Sequence, residues 1–115
     1  MNGIKMEDKL NIRFAELIEL SKQLSKHQSE WDYLENWKHS QRSILMKQAE
    51  IAGFKTAASQ EREALANDEY IMTLKAIRIA TEETLRIKWQ LSISQMRFEA
   101  WRSLQATTRA EMNIK

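Results

Sequence analysis

The chain predicts an all-α protein, an elongated helical hairpin or bundle with a long C-terminal helix that assembles into a homo-oligomer. Three observations carry this. Proline is absent and glycine occurs only at Gly3 and Gly53, while the strong helix formers Ala, Leu, Lys, Glu, Gln, Arg and Met are plentiful. Apolar residues recur at helical spacing in long uninterrupted runs. The last third of the chain is apolar on two nearly opposite sides of one helix, more than a monomer needs to cover.

Taken in order, Leu10, Phe14, Leu17, Ile18 and Leu24 form one stripe and predict an amphipathic helix over about residues 7–26, with Lys9, Glu16, Lys22 and Gln23 outside the stripe. In SKHQSEWD, Ser29 and Asp32 have capping-box spacing, so a second helix is expected over about 30–52. On it Tyr33, Trp37, Ile44 and Ile51 share a face with Ser40 and Lys47, a mixed surface suited to a partner or to water. Gly53 ends that helix, and Ser59 is read as the N-cap of a short one over 59–65. Asn67 then caps a helix over 68–112, with Asp68 and Glu69 in the first turn, where the macrodipole favours negative charge. No linker or repeat stands out, so residues 1–115 read as a single domain.

Helix 68–112 would be about 67 Å long at 1.5 Å per residue, whereas a globule of this chain length is roughly 35 Å across. Such a helix must break or find cover outside its own domain. On a 100° wheel Leu85, Trp89, Ile93, Met96, Ala100 and Leu104 fall in one arc, and Ile87, Leu91, Phe98 and Trp101 in another nearly opposite. One arc packs on the chain itself and the other on something else. We expect Ile87, Leu91, Phe98 and Trp101 to form the oligomer interface.

Composition narrows the function. With no cysteine there is no disulfide framework and no thiolate site. No apolar run reaches the roughly 18 residues of a membrane span, and MNGIKMEDKLNIRF carries acids where a signal peptide is apolar, so a cytoplasmic protein without a membrane role is expected. No Gly-rich phosphate loop, nucleophile elbow or HExxH motif occurs, and a non-enzymatic role without cofactor is expected. Asp32, Glu35 and His39 share a helical face, but the repeated Glu-x-x-His pairs of di-iron bundles do not occur; no metal is expected, and His27 and His39 are read as surface residues.

Residues 1–70 hold 10 Lys/Arg against 12 Asp/Glu and residues 71–115 hold 8 against 4, so the net +2 is the sum of −2 and +4. A cationic C-terminal third is one footprint of a polyanion partner; cations paired with acids of a neighbouring subunit are the other reading. Candidate nucleic-acid contacts are Lys38, His39, Arg42, Lys47, Lys55, Arg62, Arg86 and Arg97, with Trp31, Tyr33 and Trp37 beside the first group. Cations along a groove neutralise phosphates and aromatic faces stack on unpaired bases, which binds single strands without sequence readout. Aromatics at helical spacing are also ordinary core, and Met96, Phe98 and Trp101 read as core or subunit contact rather than a ligand box.

Tyr33 and Leu34 leading into Lys38-His39-Ser40, then Gln48-Ala49-Glu50 with Lys55, then Trp89 and Arg102-Ser103, give residues 30–112 an order that resembles the phage UvsY-type recombination mediators. The connection before the last helix is shorter than in that family. Ala58-Ser59-Gln60 stands where the family has Lys-Ala-Arg, leaving Lys55 and Arg62 nearby. The resemblance implies a ring-forming homo-oligomer in a phage-infected bacterial cytoplasm that binds single-stranded DNA and helps a recombinase displace a single-strand-binding protein. Two other classes stay open: a small phage-encoded helical inhibitor or adaptor of a host defence complex, and a structural oligomeric protein.

Overall fold

In a computed structural model describing residues 5–114, the chain forms three helices and, among the described residues, no strand: α1 (Met6–Ile51), α2 (Ala57–Ala66) and α3 (Asp68–Ile114). The all-α class and the long C-terminal helix are as the sequence predicts. The boundary expected at Ser29 is absent, and α1 runs unbroken for 46 residues. Nothing from Lys26 to Glu30 interrupts a helix, and the acid read as a capping partner instead accepts an in-helix bond from Gln28 Nε2 to Asp32 Oδ1 at 3.2 Å.

Gly53 does end α1. Phe54 N–H donates to the carbonyl of Ala49 and Gly53 N–H to that of Glu50, both at 3.1 Å, the paired bonds of a Schellman turn. Gly53 takes the positive φ of 110° that this turn needs. α2 starts two residues before the expected 59 because its cap is Thr56: Thr56 Oγ1 accepts from Ser59 N–H at 3.1 Å and Ser59 Oγ accepts from Thr56 N–H at 3.3 Å. Ser59 therefore closes the box rather than opening the helix. Asn67 caps α3 as expected, its Oδ1 accepting from Glu69 N–H at 2.8 Å and Tyr70 N–H at 3.3 Å.

The chain packs as two compact units, residues 26–84 and residues 1–25 with 85–115. In the central unit Leu45 of α1, Ala64 of α2 and Tyr70 of α3 form the buried cluster, with Met46 packed against it. Arg42 bonds Glu61 there, tying α1 to α2. Its α3 segment also buries Thr73, Ala80 and Thr84. Thr73 Oγ1 donates to the Glu69 carbonyl at 3.1 Å and Thr84 Oγ1 to the Ala80 carbonyl at 2.7 Å, so these hydroxyls enter the core already hydrogen-bonded.

In the terminal unit early residues of α1 face late residues of α3, an antiparallel pairing in which the Phe14 and Phe98 ring centroids lie 5.5 Å apart and those of Phe98 and Trp101 6.1 Å. Ile87 is fully buried; Leu10, Leu17, Leu20 and Leu24 of α1 and Leu91, Phe98 and Trp101 of α3 are half-buried. Along α3 the enclosed positions Tyr70, Thr73, Ile77, Ala80, Thr84, Ile87, Leu91, Ser94, Phe98 and Trp101 alternate spacings of three and four, the seven-residue seam of coiled-coil packing.

That seam reverses the expected use of the two arcs. Ile87, Leu91, Phe98 and Trp101, expected at an interface between copies, are taken up by the chain itself because α1 supplies Phe14 and a row of leucines opposite them. Leu85, Trp89, Ile93, Met96 and Leu104 are the exposed arc.

Candidate nucleic-acid interface

Of the seven cations and one histidine singled out in the sequence, six lie in the central unit and two, Arg86 and Arg97, in the terminal unit. In the central unit Lys38 Nζ lies 2.9 Å from Glu35 Oε2 and is half-buried on the seam side of α1. Lys38 beside it holds the Glu35 carboxyl below its ordinary value. Arg42 is held by Glu61. His39 is exposed, and so are Lys47, Lys55 in the turn before α2, and Arg62 on α2. Of the exposed candidates on α1, His39 and Lys47 lie eight residues apart, about 80° round the helix. Asp32, Glu35 and His39 do not make a metal site: among the described residues no group of three or more His, Asp or Glu is placed to hold one.

Arg97 is different. In the terminal unit it joins Lys9 and Arg13 of α1 around a cleft of about 150 Å³ whose apolar lining is Met6, Leu10, Phe98 and Trp101. Helical spacing aligns the two α1 cations, since Lys9 and Arg13 are four residues apart and so on one face. Antiparallel pairing brings Arg97, one residue before the packed Phe98, to the same place. Arg13 has a weak partner, Glu16 Oε2 at 3.8 Å from its Nη1, with both side chains more than half exposed, so water screens that pair. Three cations thus converge over aromatic surface, with Glu16 beside them and Glu19 sharing the neighbouring hollow with Arg97 and Glu16. Such a set neutralises phosphate oxygens, and the half-buried Trp101 offers a face on which an unpaired base stacks. Phe98, packed between Phe14 and Trp101, forms the floor.

Sequence reading found Arg97 and missed Lys9 and Arg13. Their spacing is visible in the chain, but it gains meaning only when α3 lies across it, and Lys9 alone reads as the polar side of an amphipathic helix. Arg86, the other α3 candidate, is exposed and already engaged in an interaction within the chain.

Among the described residues no helix is long and apolar enough to cross a membrane. Comparison with known proteins finds no matching family model, no matching curated protein and no matching solved structure.

Proposed function

We propose that the chain is a non-enzymatic single-stranded DNA-binding protein of the recombination-mediator kind, which helps a recombinase displace a single-strand-binding protein. The observation that supports this most is the convergence of Lys9, Arg13 and Arg97 over Phe98 and Trp101. The cations hold backbone phosphates, Trp101 stacks on a base that a duplex would keep paired, and neither contact reads sequence. No covalent step is involved. A cleft with three phosphate contacts binds weakly, so useful affinity comes from several copies on one strand.

The test is fluorescence anisotropy of a labelled oligonucleotide across a salt series. Binding at low salt that is stronger for single-stranded than for double-stranded DNA supports the reading; no binding at any salt sinks it.

A second reading, an adaptor or inhibitor acting on a protein complex, is favoured by the mixed face of α1 in the central unit. Tyr33, Trp37, Ile44 and Ile51 are all exposed there, and Ile51 is 78% exposed. Under that reading Trp37→Ala abolishes partner binding while Arg97→Ala leaves it unchanged.

A further inference from the structure

We propose that the exposed arc of α3, Leu85 to Leu104, is the contact between two copies of this chain packed antiparallel, with a two-fold axis passing between Ile93 and Met96. This rests on no part of the DNA-binding reading. Leu85, Trp89, Ile93, Met96 and Leu104 are between 42% and 66% exposed in the single chain. A continuous row of apolar side chains, five of the six large, differs from the scattered single ones that monomer surfaces tolerate.

The occupant is written in the spacing. Leu85, Trp89, Ile93, Met96, Ala100 and Leu104 are separated by four, four, three, four and four residues, a series that reads the same from either end. A two-fold axis at its centre sets Leu85 opposite Leu104, Trp89 opposite Ala100 and Ile93 opposite Met96 of the other copy. The bulkiest side chain of the row then meets the smallest, as interdigitated packing requires. A parallel pairing would instead set Trp89 against Trp89. Spacing of four, four and three is an eleven-residue repeat, close to the 3.6-residue turn, so two nearly straight helices stay in contact along the whole row.

Charge agrees. In an antiparallel pair each flank of a stripe meets its own counterpart, so a flank must carry both signs to be attractive. Lys88 and Glu99 lie on the same flank, and the two-fold brings Lys88 of one copy within two residues of Glu99 of the other. In the single chain Glu99 has an exposed contact with Arg102 Nη2 at 3.5 Å.

Because the chain contains no cysteine, engineered thiols report this contact without background. Trp89→Cys and Ala100→Cys are prepared separately, mixed in equal amounts and mildly oxidised. The expected result is a covalent dimer at least tenfold more abundant in the mixture than in either variant alone. Positions 89 and 100 of one chain are about 16 Å apart along the helix and do not bridge internally. A larger closed assembly that still cross-links position 89 to 100 also supports the contact. Absence of cross-linking in the mixture overturns it, as does equal cross-linking of Trp89→Cys by itself, the mark of a parallel pair. Sedimentation of the wild-type protein at micromolar concentration gives a second reading that needs no variant: a monomer mass overturns the proposal.

Discussion

Replacing Ile87 with alanine removes three carbons from the one large apolar side chain that is completely enclosed among the described residues. At about 0.8 kcal/mol per buried carbon group, the transfer loss alone is roughly 2.4 kcal/mol. A cavity penalty adds to it, and Ile→Ala changes in cores cost about 2–5 kcal/mol in total. The seam around Ile87 decides where in that range the change falls. Its seam neighbours on the N-terminal side are Thr84, one turn back, and Ala80, two turns back, short side chains that cannot swing into the gap, so we expect about 3–4 kcal/mol. For a small domain this is a large share of a total stability of about 5–15 kcal/mol. Urea unfolding followed by far-UV circular dichroism, at several protein concentrations, measures it. Ile87→Ala should lower the midpoint at every concentration with the slope unchanged. A loss under about 1 kcal/mol would refute the placement of Ile87 inside the seam, since so small a cost belongs to surface positions.

Three further outcomes follow from the helix ends and one ion pair. Gly53→Ala should cost about 1–2 kcal/mol in thermal or urea unfolding, because a Cβ there meets nothing within 4 Å and the penalty is purely that of a positive φ; a neutral result would mean the turn adjusts freely. Asn67→Ala removes the acceptor for two N–H groups at the start of α3 and should cost about 1 kcal/mol, whereas Asn67→Asp should cost little. The Glu35 carboxyl is held below its ordinary value by Lys38, so its contribution is present above the ordinary carboxylate range and is lost as pH falls through it. Wild-type melting temperature should therefore drop slightly more than that of Glu35→Gln on acidification; identical pH profiles would remove Lys38 as a partner.

Local signals in the sequence translated well where they were sufficient by themselves. Asn67 followed by two acids needs only its own backbone to form a cap, and Gly53 needs only its missing Cβ to take a positive φ. Ser29 shows the limit of the same logic. A capping box is a competitor to helix continuation, and with no residue between Lys26 and Glu30 that resists helix, continuation wins. At α2 the competitor was a better cap three residues earlier, Thr56. The two arcs of α3 were legible as stripes, but periodicity carries no information about which stripe meets α1. Phe14 settled that by packing on Phe98. The seven-residue seam was hidden too, because Thr73, Thr84 and Ser94 occupy it, and polar residues such as Thr73 and Thr84, whose hydroxyls bond their own helix, pass for surface residues when only polarity is read. Lys9 and Arg13 were out of reach for a similar reason, since their neighbour Arg97 lies more than 80 positions away.

The most direct measurement of the functional account is the salt dependence of single-strand binding, compared between wild type and Arg97→Ala. Each phosphate contact on a single strand contributes about 0.7 to the slope of log affinity against log salt. Three cations in the cleft predict a slope near −2 per bound copy, with affinity falling roughly twentyfold from 50 to 200 mM salt. Arg97→Ala should bring the slope to about −1.4 with helicity and native mass unchanged, and Lys47→Ala should leave it alone. A slope near zero for the wild type, or one that Arg97→Ala does not change, would contradict the claim that this cleft holds DNA.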